Sequence, residues 1–298
     1  MRQARLRIDL VGSERVSPAQ GTGPGGSSEG GSMHKPIIEV QELVRRFGSL
    51  TAVDALTLSI EPGEVFGLLG RNGAGKTTLI KMLTTLLPPS AGSATVGGFD
   101  IVKEAASVRR IIGYVPQALS ADGDLTGFEN LLVFAKLYDI PRAERASRIR
   151  AALAFMDLAD FGDKLVKTYS GGMIRRLEIA QSTLHRPKVL FLDEPTVGLD
   201  PVARISVWEQ IEKLQSGFGS AILLTTHYLE EAERLCDRVG IMNHGRIAAV
   251  GSLADLKAAV GANASFEEVF EHYTSADVVQ QGAYDETSQT RRSAGRLA

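Results

Sequence analysis

A chain of 298 residues, 44% of them hydrophobic, can bury a sizeable core as one large domain or as one domain with additions. Its 33 Lys and Arg against 35 Asp and Glu leave a formal charge of −2, which excludes an overall basic field drawing it onto nucleic acid or anionic lipid. No apolar run reaches the roughly 18 residues of a membrane-spanning helix, and the single cysteine, Cys236, excludes an intrachain disulfide and fits a reducing cytosol.

Residues 1–32 carry a Gly/Ser tract from Gln20 to Ser32 that cannot bury enough apolar surface to offset its ordering entropy, so disorder is expected there. Patterned sequence opens at Met33, which the composition suggests as the natural start. Alternation from Ile37 through Val40 to Val44, then Leu56, Leu58 and Ile60 on one face, predicts two antiparallel edge strands. A turn at Glu61-Pro62-Gly63-Glu64 leads into the short apolar run Glu64-Val65-Phe66-Gly67-Leu68-Leu69, read as a buried strand.

Directly after that run stands Gly70-Arg71-Asn72-Gly73-Ala74-Gly75-Lys76-Thr77-Thr78, which fits the phosphate-binding loop pattern G-x-x-x-x-G-K-[ST]. Its glycines let successive backbone N–H groups point at one anion. Lys76 supplies a charge for the β- and γ-phosphates, and the Thr77 hydroxyl is placed to hold Mg²⁺. Leu79, Met82, Leu83 and Leu86 then recur at helical spacing up to Pro88-Pro89, so a helix N-terminus should face the phosphates.

From about Ala118 to Thr168 the pattern is mostly helical. Phe128, Leu131, Leu132, Ala135 and Leu137 form one apolar face, and Ile149, Leu153, Phe155 and Met156 another. Tyr169-Ser170-Gly171-Gly172-Met173 opens a further helix, with Arg175, Arg176 and Glu178 expected on its polar side. The unbroken runs Val189–Leu192 and Ala221–Leu224 suit central parallel strands buried on both faces. Between them Asp200 caps, and Pro201 starts, a helix to about Leu214 that carries Trp208 as a packing residue. Val239 to Val250 reads as a hairpin turning at Asn243-His244-Gly245, and the chain beyond Gln280 as a loose polar tail. His34, His185, His244 and His272 form no ligand spacing, and no structural metal is expected.

The run Leu190-Phe191-Leu192-Asp193-Glu194 ends a strand in two carboxylates. Asp193 can reach Mg²⁺ and Glu194 can polarise the water that attacks a γ-phosphate. Ser170 with two glycines makes a second anion-ready helix start. One nucleotide does not need two such sites, which points to a symmetric dimer in which this one faces the partner's ATP.

Together these features resemble the ATP-binding subunit of ABC transporters, over about Ile37 to Gly251 and in the family's motif order. Gly70 to Thr77 is similar to the Walker A loop, Ser170-Gly171-Gly172 to the family signature, Asp193 and Glu194 to Walker B and the catalytic glutamate. Gln117 resembles the Q-loop glutamine that senses Mg²⁺ and water, Asp200 in Gly198-Leu199-Asp200 the D-loop, and His227 the switch histidine. Phe47 stands where the family places a ring on adenine. Taken alone, Gln117 is a loop amide, Asp200 a helix cap, His227 a histidine at a strand end and Phe47 a core residue; their order and spacing carry the functional reading. Tyr169 and Met173 replace the commoner leucine and glutamine of the signature. That variant, with Leu125-Thr126-Gly127 and Ser265-Phe266-Glu267-Glu268-Val269-Phe270, resembles the drug-export branch that includes daunorubicin-resistance-type ATPases.

The resemblance implies an α/β fold with a P-loop NTPase core and mixed central sheet, an N-terminal antiparallel β-subdomain and an inserted α-helical subdomain. Expected divisions are a disordered extension over 1–32, an ATP-binding domain over 33–255 with its helical part near 118–168, and a short extension and tail over 256–298. It further implies hydrolysis of ATP with Mg²⁺, using Lys76, Gln117, Glu194 and His227 for catalysis and Thr77, Gln117 and Asp193 for the metal. A homodimer would energise a separate integral membrane permease, which would contact it near Gln117 to Leu137 and hold it at the cytoplasmic face of the cell membrane. Export of a drug or other small molecule follows from the branch, with no nucleic-acid partner. Three other readings fit less well: a ribosome-directed ATPase normally joins two cassettes, a chromosome-type one splits the cassette with coiled coils, and a non-hydrolysing regulatory module has no need of Lys76, Glu194 and His227 together.

Overall fold

A computed structural model describes residues 35–261 and 263–275. The expected N-terminal disorder, the Met33 start, His34 and the tail beyond Gln280 lie outside the described residues.

Two sheets organise the chain. The first is antiparallel, in the order β2-β1-β4-β5, from β1 (Ile38–Phe47), β2 (Leu50–Ile60), β4 (Ala91–Val96) and β5 (Phe99–Asp100). Alternation puts Leu56, Leu58 and Ile60 on its buried face, as the sequence predicts. The second holds six strands in the order β10-β9-β3-β8-β7-β6: β3 (Val65–Leu69), β6 (Ile112–Val115), β7 (Val189–Asp193), β8 (Ala221–Thr226), β9 (Arg238–Asn243) and β10 (Arg246–Gly251). All its pairings are parallel except the β9–β10 hairpin, which turns through His244 and Gly245, both at positive φ.

Strands β3, β7 and β8 are buried at every residue, so their apolar runs are continuous. Alternate side chains supply different cores. Val65, Leu190, Leu192, Ile222 and Leu224 pack toward the helical insert, whereas Phe66, Leu68, Phe191 and Leu223 pack toward the antiparallel sheet and helix α1 (Lys76–Leu83). The insert contains α3 (Gly127–Leu137) and α4 (Arg142–Phe155), followed by α5 (Gly171–Thr183). Thr126 and Glu129 form a reciprocal capping box at the start of α3. Helix α6 (Pro201–Phe218) follows β7, α7 (Leu229–Leu235) follows β8, and α8 (Leu253–Val260) and α9 (Phe266–Ser275) close over β9 and β10 through a third apolar cluster; α2 (Ala105–Ile111) precedes β6.

Four local expectations change. Helix α1 ends at Leu83, not near Pro88: the Thr84 hydroxyl donates to the Ile80 carbonyl, Thr85 turns to φ 65°, and Leu86 is 60% exposed. Helix α6 runs four residues past Leu214, to a left-handed Gly219 cap. Leu137 leaves its predicted apolar face and stands 70% exposed. Arg175 and Glu178, expected on a polar side, are buried as an ion pair with Nη1 and Oε2 3.0 Å apart.

Candidate functional site

Parallel pairing sets the site. Strands β3, β8, β7 and β6 end at Leu69, Thr226, Asp193 and Val115, and adjacent register places Leu69 opposite Thr226 and Asp193 opposite Thr225. Their carboxyl ends therefore deliver the glycine loop, His227, Asp193-Glu194 and Gln117 to one sheet edge, where open α/β sheets bind ligands.

The loop backbone depends on its glycines. Gly73 and Gly75 lie at φ 85° and 107°, the left-handed region. A Cβ at Gly75 would run into the Ala52 carbonyl oxygen, so glycine is required both by conformation and by space. Gly75 leads into α1, with no side-chain cap on the first N–H groups. Exposed Arg71, Asn72 and Gly73 form the outer arc, Ala74 packs inward, and Thr77 and Thr78 begin the helix half-buried. Ala74 N–H donates to the Arg71 carbonyl at 3.1 Å, and the other N–H groups of the arc and the helix start are suited to cradle a phosphate.

Four side chains converge above it. Lys76, only 5% exposed, donates from Nζ to the Gly70 carbonyl at 2.7 Å and lies 3.3 Å from Glu194 Oε1. His227 Nδ1 stands 3.2 Å from Glu194 Oε2; the carboxylate is off the ring N–H line, so this is a close contact and not a hydrogen bond. Gln117 Nε2 donates to the same Oε2 at 3.4 Å. Glu194 itself sits at φ 48°, unusual for a side chain with a Cβ, and is held there because its N–H donates to both the carbonyl and the hydroxyl of Thr225, at 3.1 and 3.0 Å.

Asp193 lies beneath, 1% exposed, accepting on Oδ1 from Thr225 at 2.7 Å and from Thr77 at 3.1 Å. The Thr77 hydroxyl and Asp193 carboxylate are a pair of hard oxygens suited to Mg²⁺, beside a cradle suited to the phosphates it would bridge. Thr225 was not singled out in the sequence; its position one residue before the strand end and opposite Asp193 in register is the signal.

The other predicted residues lie apart from this cluster. Ser170 and Gly171 are exposed at the start of α5, with the Ser170 hydroxyl accepting from Met173 N at 3.3 Å, while Gly172 is buried against Ala203 of α6. The exposed start of α5 is thus open to an incoming anion. Asp200 is exposed, and its Oδ1 caps α6 by accepting from Val202 N and Ala203 N, both at 3.0 Å. Phe47 is 45% exposed at the end of β1, with the Arg45 guanidinium 4.6 Å from its ring centre.

Trp208 does more than pack. Its indole N–H donates to Glu231 Oε1 at 2.8 Å, as does the Thr196 hydroxyl at 2.7 Å. Glu231 is fully buried, its Oε2 has no aligned partner, and burial raises its carboxyl above the usual range despite those bonds. It joins α7, just after His227, to the segment after Glu194 and to α6. Cys236 is the residue that caps the end of α7, and burial raises its thiol well beyond the ordinary range, so it is not a nucleophile at neutral pH.

A glycine cradle after a sheet strand, a lysine on its helix and adjacent carboxylates on a neighbouring strand define a P-loop nucleoside triphosphatase. A family model for the ABC transporter domain matches residues 53–197. A daunorubicin resistance ATP-binding protein of Streptomyces coeruleorubidus is 46% identical over 229 residues, 77% of this chain and 72% of that protein. A daunorubicin/doxorubicin resistance ATP-binding protein of Streptomyces peucetius is 46% identical over 226 residues, 76% of this chain and 68% of that one. A solved structure of the ATP-binding subunit of an ABC transporter superposes with TM-score 0.72 and 31% identity, covering 80% of this chain and 99% of that one. A second, of cbiO1 from Clostridium perfringens, part of the ABC transporter complex cbiONQ, gives TM-score 0.69 and 29% identity over 75% and 91% of the two chains. The chain belongs to the ATP-binding proteins of ABC transporters, a family that hydrolyses ATP and works with membrane permease components. No helix among the described residues is long and apolar enough to cross a membrane.

Proposed function

We propose that this chain energises a separate membrane permease that exports a drug or another small molecule, and that it does so as a dimer sharing two ATP sites. The observation that carries the hydrolytic part is the convergence of Lys76, Gln117 and His227 on the one carboxylate of Glu194.

Bound Mg·ATP would supply the γ-phosphoryl group and the cation that neutralises it. Gly70 through Thr78 would hold the phosphates, Phe47 would lie against the adenine, and Thr77, Asp193 and Gln117 would hold Mg²⁺. Lys76 leaves Glu194 for the β- and γ-phosphates. Glu194 then accepts a proton from the attacking water, and His227 orients the pair. Catalysis is positioning and charge stabilisation, with no covalent intermediate on the protein.

Ser170, Gly171 and Gly172 of a second copy close on the γ-phosphate, with Asp200 at the D-loop beside them. The exposure of Ser170 and Gly171 at the free end of a 13-residue helix supports the reading. The permease meets the stretch from Gln117 to Leu137, where Leu119, Val133 and Leu137 leave apolar side chains in solvent at 50%, 44% and 70% exposure. That contact holds the protein at the cytoplasmic face.

The test is Ser170→Arg in the full chain. It should leave the affinity of the monomer for ATP within about twofold while abolishing ATP-driven dimerisation and stimulated turnover on permease-containing membranes. Equal loss of nucleotide binding and dimerisation would contradict the shared site.

A further inference from the structure

Helix α5 reaches back from its exposed start to the segment that carries Gln117. Arg175 donates from Nη1 to the Pro116 carbonyl and from Nη2 to the Gln117 carbonyl, both at 2.7 Å. Glu178 takes the other flank: its Oε1 accepts from the Ser120 N–H and from the Ser120 hydroxyl and Ala121 N–H at 3.1 and 3.3 Å. The two side chains, 1% and 2% exposed, pair with each other at 3.0 Å. One helix therefore grips both ends of the exposed 117–119 stretch, and the Gln117 side chain between those grips reaches Glu194. The linkage extends sideways. Buried Asn130 on α3 accepts from Asp122 N at 3.0 Å and from Gln181 Nε2 of α5 at 3.3 Å, tying both helices to the same loop.

A buried ion pair is weak evidence for a purely stabilising role. Apolar residues of similar volume usually serve a core as well as a buried ion pair or better. Nor does Gln117 need a guanidinium merely to exist as a loop. The planar fork is suited to holding two successive carbonyls at fixed separation. About 12 Å of helix separates Ser170 from Glu178, so a displacement at the free end of α5 is carried rigidly to the loop.

We propose that Arg175 and Glu178 are positioning residues that lock the 116–121 segment to α5, so that engagement of Ser170 by nucleotide on a second copy sets Gln117 against Glu194 in the same chain. This rests on the shared-site reading above and adds to it a route by which occupancy of one site reaches the other.

The experiment compares full-length parent, Arg175→Met/Glu178→Leu and Arg175→Lys. Binding of a fluorescent ATP analogue, MgATP-driven dimerisation in a Glu194→Gln background and steady-state hydrolysis are measured for each. The double variant removes both charges together and should fold, bind nucleotide and dimerise as the parent does, each within about twofold, while kcat falls at least tenfold at a KM within twofold. Arg175→Lys keeps the charge balance of the core but cannot span both carbonyls, and its kcat should fall at least threefold. It decides the matter if the double variant does not fold. Normal kcat in either folded variant, or parallel loss of nucleotide binding and turnover, overturns the proposal. Ser170→Arg separates the two readings: dimerisation that survives it removes the shared site, whereas a double variant that dimerises and hydrolyses normally removes only the coupling.

Discussion

Lys76 and Glu194 face each other as a buried ion pair, Nζ to Oε1 3.3 Å, with side-chain exposures of 4% and 8%. The cation proposed to hold phosphate is thus paired with the carboxylate proposed to activate water, and on that reading phosphate binding exchanges one partner for the other. Glu194→Gln keeps the shape and removes the competing charge. The variant should bind ATP at least as tightly as the parent, while steady hydrolysis falls by about 10²- to 10⁴-fold, the usual contribution of a positioned base. Equilibrium binding and single-turnover kinetics read the two effects separately. Near-normal hydrolysis would remove Glu194 as the base.

Glu231 offers a second separation. Glu231→Ala leaves the Trp208 N–H and the Thr196 hydroxyl buried without an acceptor, at about 1–3 kcal/mol each. Melting temperature should fall accordingly, and the emission of Trp208, the sole tryptophan, should shift. Glu231→Gln keeps an oxygen for both donors and should be close to neutral. Its pH dependence is also signed. Burial favours the protonated carboxyl in the fold, so the folded chain holds a proton that the unfolded chain has released above about 4.5. The Glu231 contribution is present at acid pH and declines as pH rises past that value, and Glu231→Gln should flatten the decline. Identical unfolding curves for parent and Glu231→Ala would show that the two donors have other partners.

Buried continuity made much of the core legible. Strands β3, β7 and β8 read as apolar runs because both their faces are covered, and the loop before α1 reads as glycine because only glycine fits. What escaped were contacts between residues distant in sequence. Arg175 and Glu178 look like surface charges until Pro116 and Ser120, nearly sixty residues upstream, arrive to bond them. Trp208 looks like filler until α7 brings Glu231 beneath its N–H. Leu137 carries the right period for its helix but lies beyond the reach of the core, at its last residue. Composition cannot show any of these, because each is decided by which elements meet.

Gly171 and Gly172 are adjacent in sequence yet differ in what they tolerate. A Cβ at Gly172 would lie 2.8 Å from Ala203 Cβ on α6, and two helices would have to part to admit it. A Cβ at Gly171 would meet only the tip of Leu199, at 3.3 Å, which can swing aside. Gly172→Ala should therefore cost about 1–3 kcal/mol, whereas Gly171→Ala should lie within about 0.5 kcal/mol of the parent. Urea denaturation measures both. Equal destabilisation would mean that α5 and α6 do not press together at Gly172.

His185 gives the acid limb of stability. Its ring stacks on Tyr138 with centroids 3.6 Å apart and planes 5° from parallel, and Nε2 donates to the Ile112 carbonyl at 3.0 Å while Nδ1 is buried without a partner. Burial pulls its pKa down to about 4, from an ordinary value of 6.5, against the weaker opposing effect of the Ile112 carbonyl. Between those values the unfolded chain binds a proton that the folded chain refuses, so stability from this residue is complete above pH 6.5 and drains away as pH falls toward 4. His185→Gln retains an N–H for Ile112 and cannot titrate. The difference in urea midpoint between the two proteins should be flat above pH 7 and should move steadily in favour of the glutamine variant from pH 6.5 to 5. Parallel curves across that range would show that the imidazole takes up its proton without leaving the stack.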